Sequence, residues 1–261
     1  MELGLEGRVA IVTGGSRGIG GGIVECLAKE KLKIVIGDIA VEAAEKLAKG
    51  LASRNKVELM AVRTDVSKKE DAENLVATTL KKYGRVDILV NAAAVLKDVP
   101  FVDLEEDEWE RVMNVNAKGV YLVTKEVVPH MISARRGRIV NISSRAGKDG
   151  TAGLSHYAMS KFAIWGLTQS LAKEVASYGI TVNAVCPGIV RTDMWERILD
   201  FRATRTGLPR EKIWKNMLKT IPMGKPQEPA DIGNLVVFLC SEVARYITGE
   251  AIHVNGGMRM D

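Results

Sequence analysis

Two stretches of this 261-residue chain place a phenol and an amine four residues apart, Tyr121/Lys125 and Tyr157/Lys161. Residues at i and i+4 share a helix face, so either pair brings a lysine beside a tyrosine. A free tyrosine loses its proton near pH 10, too high for acid–base work at neutrality, and a neighbouring ammonium can lower that value by roughly 1–3 units. Such a phenol gives a proton to a carbonyl oxygen or takes one from an alcohol. Context separates the two pairs. Tyr121 lies well inside a long amphipathic stretch, and the residue thirteen before it is Glu108. Tyr157 opens its helical stretch, and thirteen before it is Ser144, at the end of the apolar run 138–142. A hydroxyl there can hold the same substrate oxygen in place. Ser144, Tyr157 and Lys161 are therefore the expected catalytic set.

The redox partner is read from the N-terminal segment. An apolar run at 9–13 leads into Thr13-Gly14-Gly15-Ser16-Arg17-Gly18-Ile19-Gly20 and then a helical pattern. Glycines between strand and helix let backbone N–H groups approach a pyrophosphate at the helix N-terminus. The spacing here is Gly-x-x-x-Gly-x-Gly, unlike the common dinucleotide pattern Gly-x-Gly-x-x-Gly. Asp38 closes the second apolar run, where a carboxylate accepts from ribose hydroxyls and repels a 2′-phosphate. Ile39 follows it, where a base would serve NADP. Arg17 is the opposing signal. The reading is NAD, with NADP the less favoured cofactor, and hydride exchange between it and a carbonyl or alcohol carbon.

The rest of the chain must position these groups. Strands are expected at 9–13, 33–37, 59–63, 87–90, 138–142, 181–185 and 251–254, and helices at 18–29, 41–52, 69–83, 107–132, 157–178 and 229–240. The strands are continuous apolar runs, as when helices cover both faces of a sheet. Strict alternation implies an α/β fold, a doubly wound parallel sheet in a single domain over 1–261. One segment, 189–226, breaks the alternation. It contains no strand pattern, carries Met194, Trp195, Ile198, Phe201, Trp214 and Met217, and holds nine bases against four acids. A long connection after a strand's carboxyl end fits a substrate lid, and its charge favours an anionic substrate.

Composition narrows the function classes. The chain is 46% hydrophobic and 26% charged, with a net charge of +5. The dense basic run Arg135-Arg136-x-Arg138 precedes a strand and fits a solvated loop, so no nucleic-acid partner is expected. The apolar runs fall short of the roughly 20 residues a membrane span needs. The N-terminus lacks a secretory pattern, which points to the cytoplasm. Cys26, Cys186 and Cys240 lie far apart and read as reduced thiols. Three histidines without ligand spacing argue against a metal.

With those motifs in view, the chain resembles the single-domain short-chain dehydrogenase/reductase family from Gly7 to Gly257. Thr13-Gly14-x-x-x-Gly18-x-Gly20 is similar to that family's cofactor motif, in which Ser16, Arg17 and Ile19 are the intervening residues. The resemblance implies a seven-stranded Rossmann-type sheet and adds residues to the site. Asp65 and Val66 would contact adenine, and Asn116 would be a fourth catalytic residue that holds a water for the relay through Lys161. Pro187, Gly188, Val190 and Thr192 would meet the nicotinamide side, and Asn255-Gly256-Gly257 matches the C-terminal signature. Where the family has Asn-Asn-Ala-Gly, this chain has Asn91-Ala92-Ala93-Ala94, small enough for a cofactor to lie against. The resemblance also implies a homotetramer built on the two long helices. The expected substrate is a small-molecule secondary alcohol or ketone of the sugar, polyol or hydroxy-acid class. A 3-oxoacyl-thioester (acyl-carrier-protein) reductase is the alternative. A non-catalytic NAD-sensing protein on the same fold is a third reading, opposed by the joint presence of Asn116, Ser144, Tyr157 and Lys161.

Overall fold

The computed structural model describes residues 2–260. Seven strands form one parallel sheet in the order β3-β2-β1-β4-β5-β6-β7. They are β1 (Val9–Thr13), β2 (Lys33–Asp38), β3 (Leu59–Arg63), β4 (Ile88–Asn91), β5 (Gly137–Ile142), β6 (Ile180–Pro187) and β7 (Ala251–Val254). Strand residues alternate between two cores. Ala10, Val12, Ile34, Ile36, Ile88 and Val90 pack on one side, while Ile11, Val35 and Leu89 pack on the other. Both sides are roofed, which is why these strands read as unbroken apolar runs. Helices α1 (Gly18–Lys29), α2 (Val41–Asn55) and α9 (Pro229–Cys240) cover the first side. The second is covered by α3 (Lys69–Tyr83), α5 (Gly119–Ala134) and α6 (Ser155–Val175). The strand order reverses between β1 and β4, and a crevice opens there at the strands' carboxyl ends, where ligands bind in such sheets.

Two expected elements differ from what forms. The stretch 107–132 is not one regular helix: α4 (Glu106–Met113) passes through a π-helical turn, Asn114–Lys118, into α5. The bulge turns Asn116 inward, where its amide donates to the Val95 carbonyl (2.9 Å) and accepts from the Val95 N–H (2.8 Å). Buried amide hydrogen bonds of this kind stabilise a local irregularity that backbone preference alone does not. The segment 189–226 contains α7 (Asp193–Thr206) and α8 (Arg210–Leu218), divided at Gly207, whose φ is +67°. Its apolar residues Ile189, Leu199, Ile213, Met217 and Ile221 form a small core of their own.

Candidate active site

The crevice is a cavity of about 750 Å³. One end of it is built by the turn from β1 into α1. Gly14 has φ +65°, and a Cβ there would lie 2.5 Å from the Cα of Ala93. Only glycine lets the two segments approach so closely. A Cβ at Gly20 would sit 2.1 Å from the Gly14 carbonyl. Among the described residues no side chain caps α1 and no acid stands in its first turn, so its N–H groups and dipole face the cavity uncompensated. The Ser16 hydroxyl is buried without a hydrogen-bond partner among the described residues. An anion with several acceptor oxygens would satisfy these donors, which is how the site fits a dinucleotide pyrophosphate.

Asp38 ends β2 as a buried carboxylate. It accepts the Ser16 N–H (2.9 Å) on one oxygen and the Ala40 N–H (2.9 Å) on the other. Arg17 points elsewhere, into a solvent-exposed ion pair with Asp193 of α7 at 3.7 Å. Asp65 accepts from the backbone N–H and the hydroxyl of Ser67. The cavity wall includes Gly14, Arg17, Gly18, Ile19, Gly20, Asp38, Asp65, Val66, Ala92, Ala93, Pro187, Gly188, Val190 and Thr192. Ser16 and Asn91 sit behind it. The Asn91 amide donates to Asn141 (2.9 Å) and Thr124 (3.0 Å), tying β4 to β5 and α5.

Ser144, Tyr157 and Lys161 meet at the other end. Ser144 stands at the end of β5 and hydrogen-bonds the Tyr157 phenol, and its oxygen also accepts the Ala146 N–H at 3.1 Å. Lys161 is 2% exposed, its Nζ lies 5.6 Å from the Tyr157 ring centroid, and it donates to the Ile142 carbonyl at 2.9 Å. One expectation is corrected here. Burial pushes the Tyr157 phenol up to about 12, the Ser144 bond pulls it back only in part, and the nearby Cys186 thiol adds to the rise. Lys161 does not offset that rise, because burial brings its own value down to about 8, so it has lost its charge before such a phenol ionises. Asn116 lies behind the wall, joined through its amide to Ser160 (3.1 Å), whose hydroxyl donates to the Tyr157 carbonyl (2.7 Å).

Most of the remaining wall was not read from the sequence. Leu96, Leu154, Ile189, Met194, Trp195, Met217 and Met258 line it, together with Arg145, Thr151, Arg202 and Thr220. Of the six apolar lid residues singled out, Met194, Trp195 and Met217 reach the cavity. Ile198 is buried, Phe201 is 37% exposed, and Trp214 packs in the lid core. Gln227 was also missed. Its side-chain oxygen accepts the Gly188 N–H (2.8 Å) and its own N–H donates to the Ile189 carbonyl (2.9 Å), which holds the turn after β6. No local pattern signals that role, since its partners lie nearly forty residues away.

A family model described as enoyl-(acyl carrier protein) reductase matches residues 14–259. The chain is 39% identical to the 3-oxoacyl-[acyl-carrier-protein] reductase FabG of Aquifex aeolicus, over 99% of this chain and all of the relative. The enzyme of the same name from Vibrio harveyi is 40% identical over 98% of this chain and 99% of its own. The chain belongs to the short-chain dehydrogenase/reductase family. It is accordingly an oxidoreductase that uses a nicotinamide cofactor. A crystal structure of a single-substitution variant of the actinorhodin polyketide ketoreductase with NADPH superposes with a TM-score of 0.93, at 34% identity and 97% coverage of both chains. These full-length relatives overturn the expected sugar, polyol or hydroxy-acid substrate. Seven of the wall residues just named are apolar.

Proposed function

We propose that this enzyme reduces a 3-oxoacyl thioester, carried on acyl carrier protein, to the 3-hydroxyacyl thioester, with NADH as reductant. The observation that carries the reading is the apolar wall of Leu96, Leu154, Met217 and Met258 in the same cavity as the Ser144–Tyr157 pair, a lining suited to an acyl chain. The full-length similarity to 3-oxoacyl-[acyl-carrier-protein] reductases supports it. The reduced dinucleotide, when bound, supplies the hydride. Tyr157 holds the proton that the carbonyl oxygen takes up, and burial keeps that phenol protonated at neutral pH. Ser144 donates to the same oxygen and fixes its orientation. Lys161 replenishes the proton, and Asn116 orders the backbone around Val95 and, through Ser160, the start of α6.

Gly14, Ser16, Arg17, Gly18, Ile19 and Gly20 would hold the pyrophosphate, Asp65 and Val66 the adenine, and Asn91, Ala92 and Ala93 the floor. Pro187, Gly188, Val190 and Thr192 would hold the nicotinamide side. The choice of NADH rests on Asp38. Its fixed, buried carboxylate repels a 2′-phosphate. The ketoreductase solved with NADPH stands on the other side, which makes the choice worth measuring.

We take 1–261 as one cofactor-binding domain with 189–226 as its lid, assembled as a homotetramer. Exposed Tyr121 on α5 and Met159 and Phe162 on α6 supply apolar surface for such pairing. No helix among the described residues is long and apolar enough to cross a membrane, and three buried free thiols suit a reducing cytoplasm. The test follows absorbance at 340 nm with an acetoacetyl thioester and either NADH or NADPH. The expected result is oxidation of NADH at least about tenfold faster than NADPH. No oxidation of either would refute the substrate class, and faster NADPH oxidation would refute the role of Asp38.

A further inference from the structure

The positive charge of the lid resolves into individual partners. Arg191 and Arg210 pair with Glu196, and Arg210 also with Asp200, all partly exposed. Arg197 and the lid's four lysines are not in the cavity wall. Arg202 is, alone among the lid's cations in the described residues. Its setting is unlike that of the others. Asp98, in the connection between β4 and α4, is fully buried and accepts Arg202 Nε at 2.6 Å and Arg205 Nη1 at 2.9 Å. That connection is itself fixed by the Val99 N–H donating to the Gly153 carbonyl at 2.8 Å.

One carboxylate between two guanidinium groups leaves a net charge of +1 in a largely apolar wall. Arg202 Nε is spent on Asp98 and Nη1 lies 3.7 Å from the Met217 sulfur, so Nη2 has no protein partner among the described residues. A guanidinium held rigid by a buried acid, with a donor left over at a cavity wall, is pre-organised for an anionic oxygen. Arg205 shares the same acid but does not line the cavity, so it serves as an internal control.

We propose that Arg202 is an anion subsite of this reductase and binds a carboxylate or phosphate oxygen of the acyl substrate. This rests on the reading of the cavity as a 3-oxoacyl-thioester site and names the substrate group that site selects. The anion has two sources, a carboxylate at the far end of the acyl chain or a phosphate of the carrier arm. Three probes separate them: acetoacetyl-N-acetylcysteamine, which is uncharged, its analogue with a chain-terminal carboxylate, and acetoacetyl-coenzyme A. Wild type should favour one anionic probe over the neutral one by about tenfold or more in kcat/KM, through KM. Arg202→Met should erase that preference and leave the neutral probe within about threefold, while Arg205→Met should keep it.

Equal kcat/KM for all three probes in wild type would overturn the proposal. So would loss of the preference in both variants, which would make the arginines a structural clamp. If no thioester is turned over, the reductase reading fails separately, and calorimetry with NADH present then decides the subsite. Glutarate should bind wild type and not Arg202→Met, and its diamide should bind neither. Equal glutarate binding by both proteins, or none, would sink the subsite.

Discussion

The chain contains one local motif twice, and its two copies have almost the same internal geometry. Lys125 Nζ lies 5.6 Å from the Tyr121 ring centroid, and Lys161 Nζ lies 5.6 Å from that of Tyr157. In each, the residue just before the lysine is a buried hydroxyl that accepts from a buried asparagine amide: Thr124 from Asn91, Ser160 from Asn116. The difference lies in what surrounds the pair. Tyr121 is 47% exposed on the outside of α5, whereas Tyr157 borders the cavity and Lys161 is 2% exposed beneath it. Water screens the outer pair. Burial strengthens every field at the inner pair and sets its protonation. Spacing along a helix brings two side chains together, but burial gives them chemistry.

The largest effect should come from exchanging phenol for phenyl at each copy. Tyr157→Phe should lower kcat by about 10²–10⁴-fold, the usual contribution of a positioned proton donor. NADH binding, followed by fluorescence titration, should change little. Tyr121→Phe should stay within twofold of wild type. Comparable losses in both would break the comparison, and near-normal turnover in the first would remove Tyr157 from its role.

A second test uses the charge of the inner lysine. Burial disfavours its protonated form, so its pKa falls from the ordinary 10.5 to about 8. Below pH 8 both folded and unfolded chains bind this proton and the burial penalty is fully present. Between about 8 and 10.5 the folded chain has released it and the unfolded chain has not, so this group's contribution to stability rises with pH across that window. Lys161→Met should therefore stabilise the protein most below pH 8. Each pKa unit corresponds to about 1.4 kcal/mol, and the lost bond to the Ile142 carbonyl subtracts about 1.5–3 kcal/mol. The net gain is about 1 kcal/mol, a rise in Tm of about 2–4 °C at pH 7 that shrinks toward pH 10. The same variant should lose about 10²-fold in kcat, and wild-type reduction should slow as pH rises through about 8. A Tm lowered at pH 7 would contradict the assignment of Lys161 as a costly buried charge.

These contrasts also mark what the sequence disclosed. The sheet was legible because both faces are buried, so β1 and β2 are unbroken apolar runs whose ends were placed within a residue. The glycine-rich turn after β1 was legible because the approach of Gly14 to Ala93 demands a residue without a side chain. Ser144, Tyr157 and Lys161 were legible through their places at a strand end and a helix start. The π-helical turn was not: Asn-Val-Asn-Ala-Lys follows ordinary helical spacing, and the bulge depends on Val95, twenty-one residues away. The cavity wall was legible only where 189–226 supplies it, through Met194, Trp195 and Met217. Leu96, Leu154 and Met258 come from three other segments, and Arg202 finds its acid 104 residues back in the chain. The charge sum of the lid pointed toward an anion, but only tertiary packing distinguishes Arg202 from its neighbours.

The smallest predicted effect asks whether the comparison extends to the buried hydroxyls. Ser160 accepts from Asn116 at 3.1 Å and donates to the Tyr157 carbonyl at 2.7 Å. Thr124 accepts from Asn91 at 3.0 Å. In either case removal of the hydroxyl leaves the asparagine amide one other acceptor, the Val95 carbonyl for Asn116 and the Asn141 oxygen for Asn91. Ser160→Ala and Thr124→Ala should therefore each cost about 1 kcal/mol in urea denaturation, the value of an ordinary hydrogen bond. Their kinetics should part. Ser160→Ala loosens the first turn of α6, which carries Tyr157, and should lower kcat about three- to tenfold with the KM for NADH unchanged. Thr124→Ala acts behind the exposed pair and should leave kcat as it was. If Thr124→Ala slows turnover as much as Ser160→Ala, then Asn91 supports the chemistry through β4 and Ala92, and the two copies of the motif are coupled through the sheet.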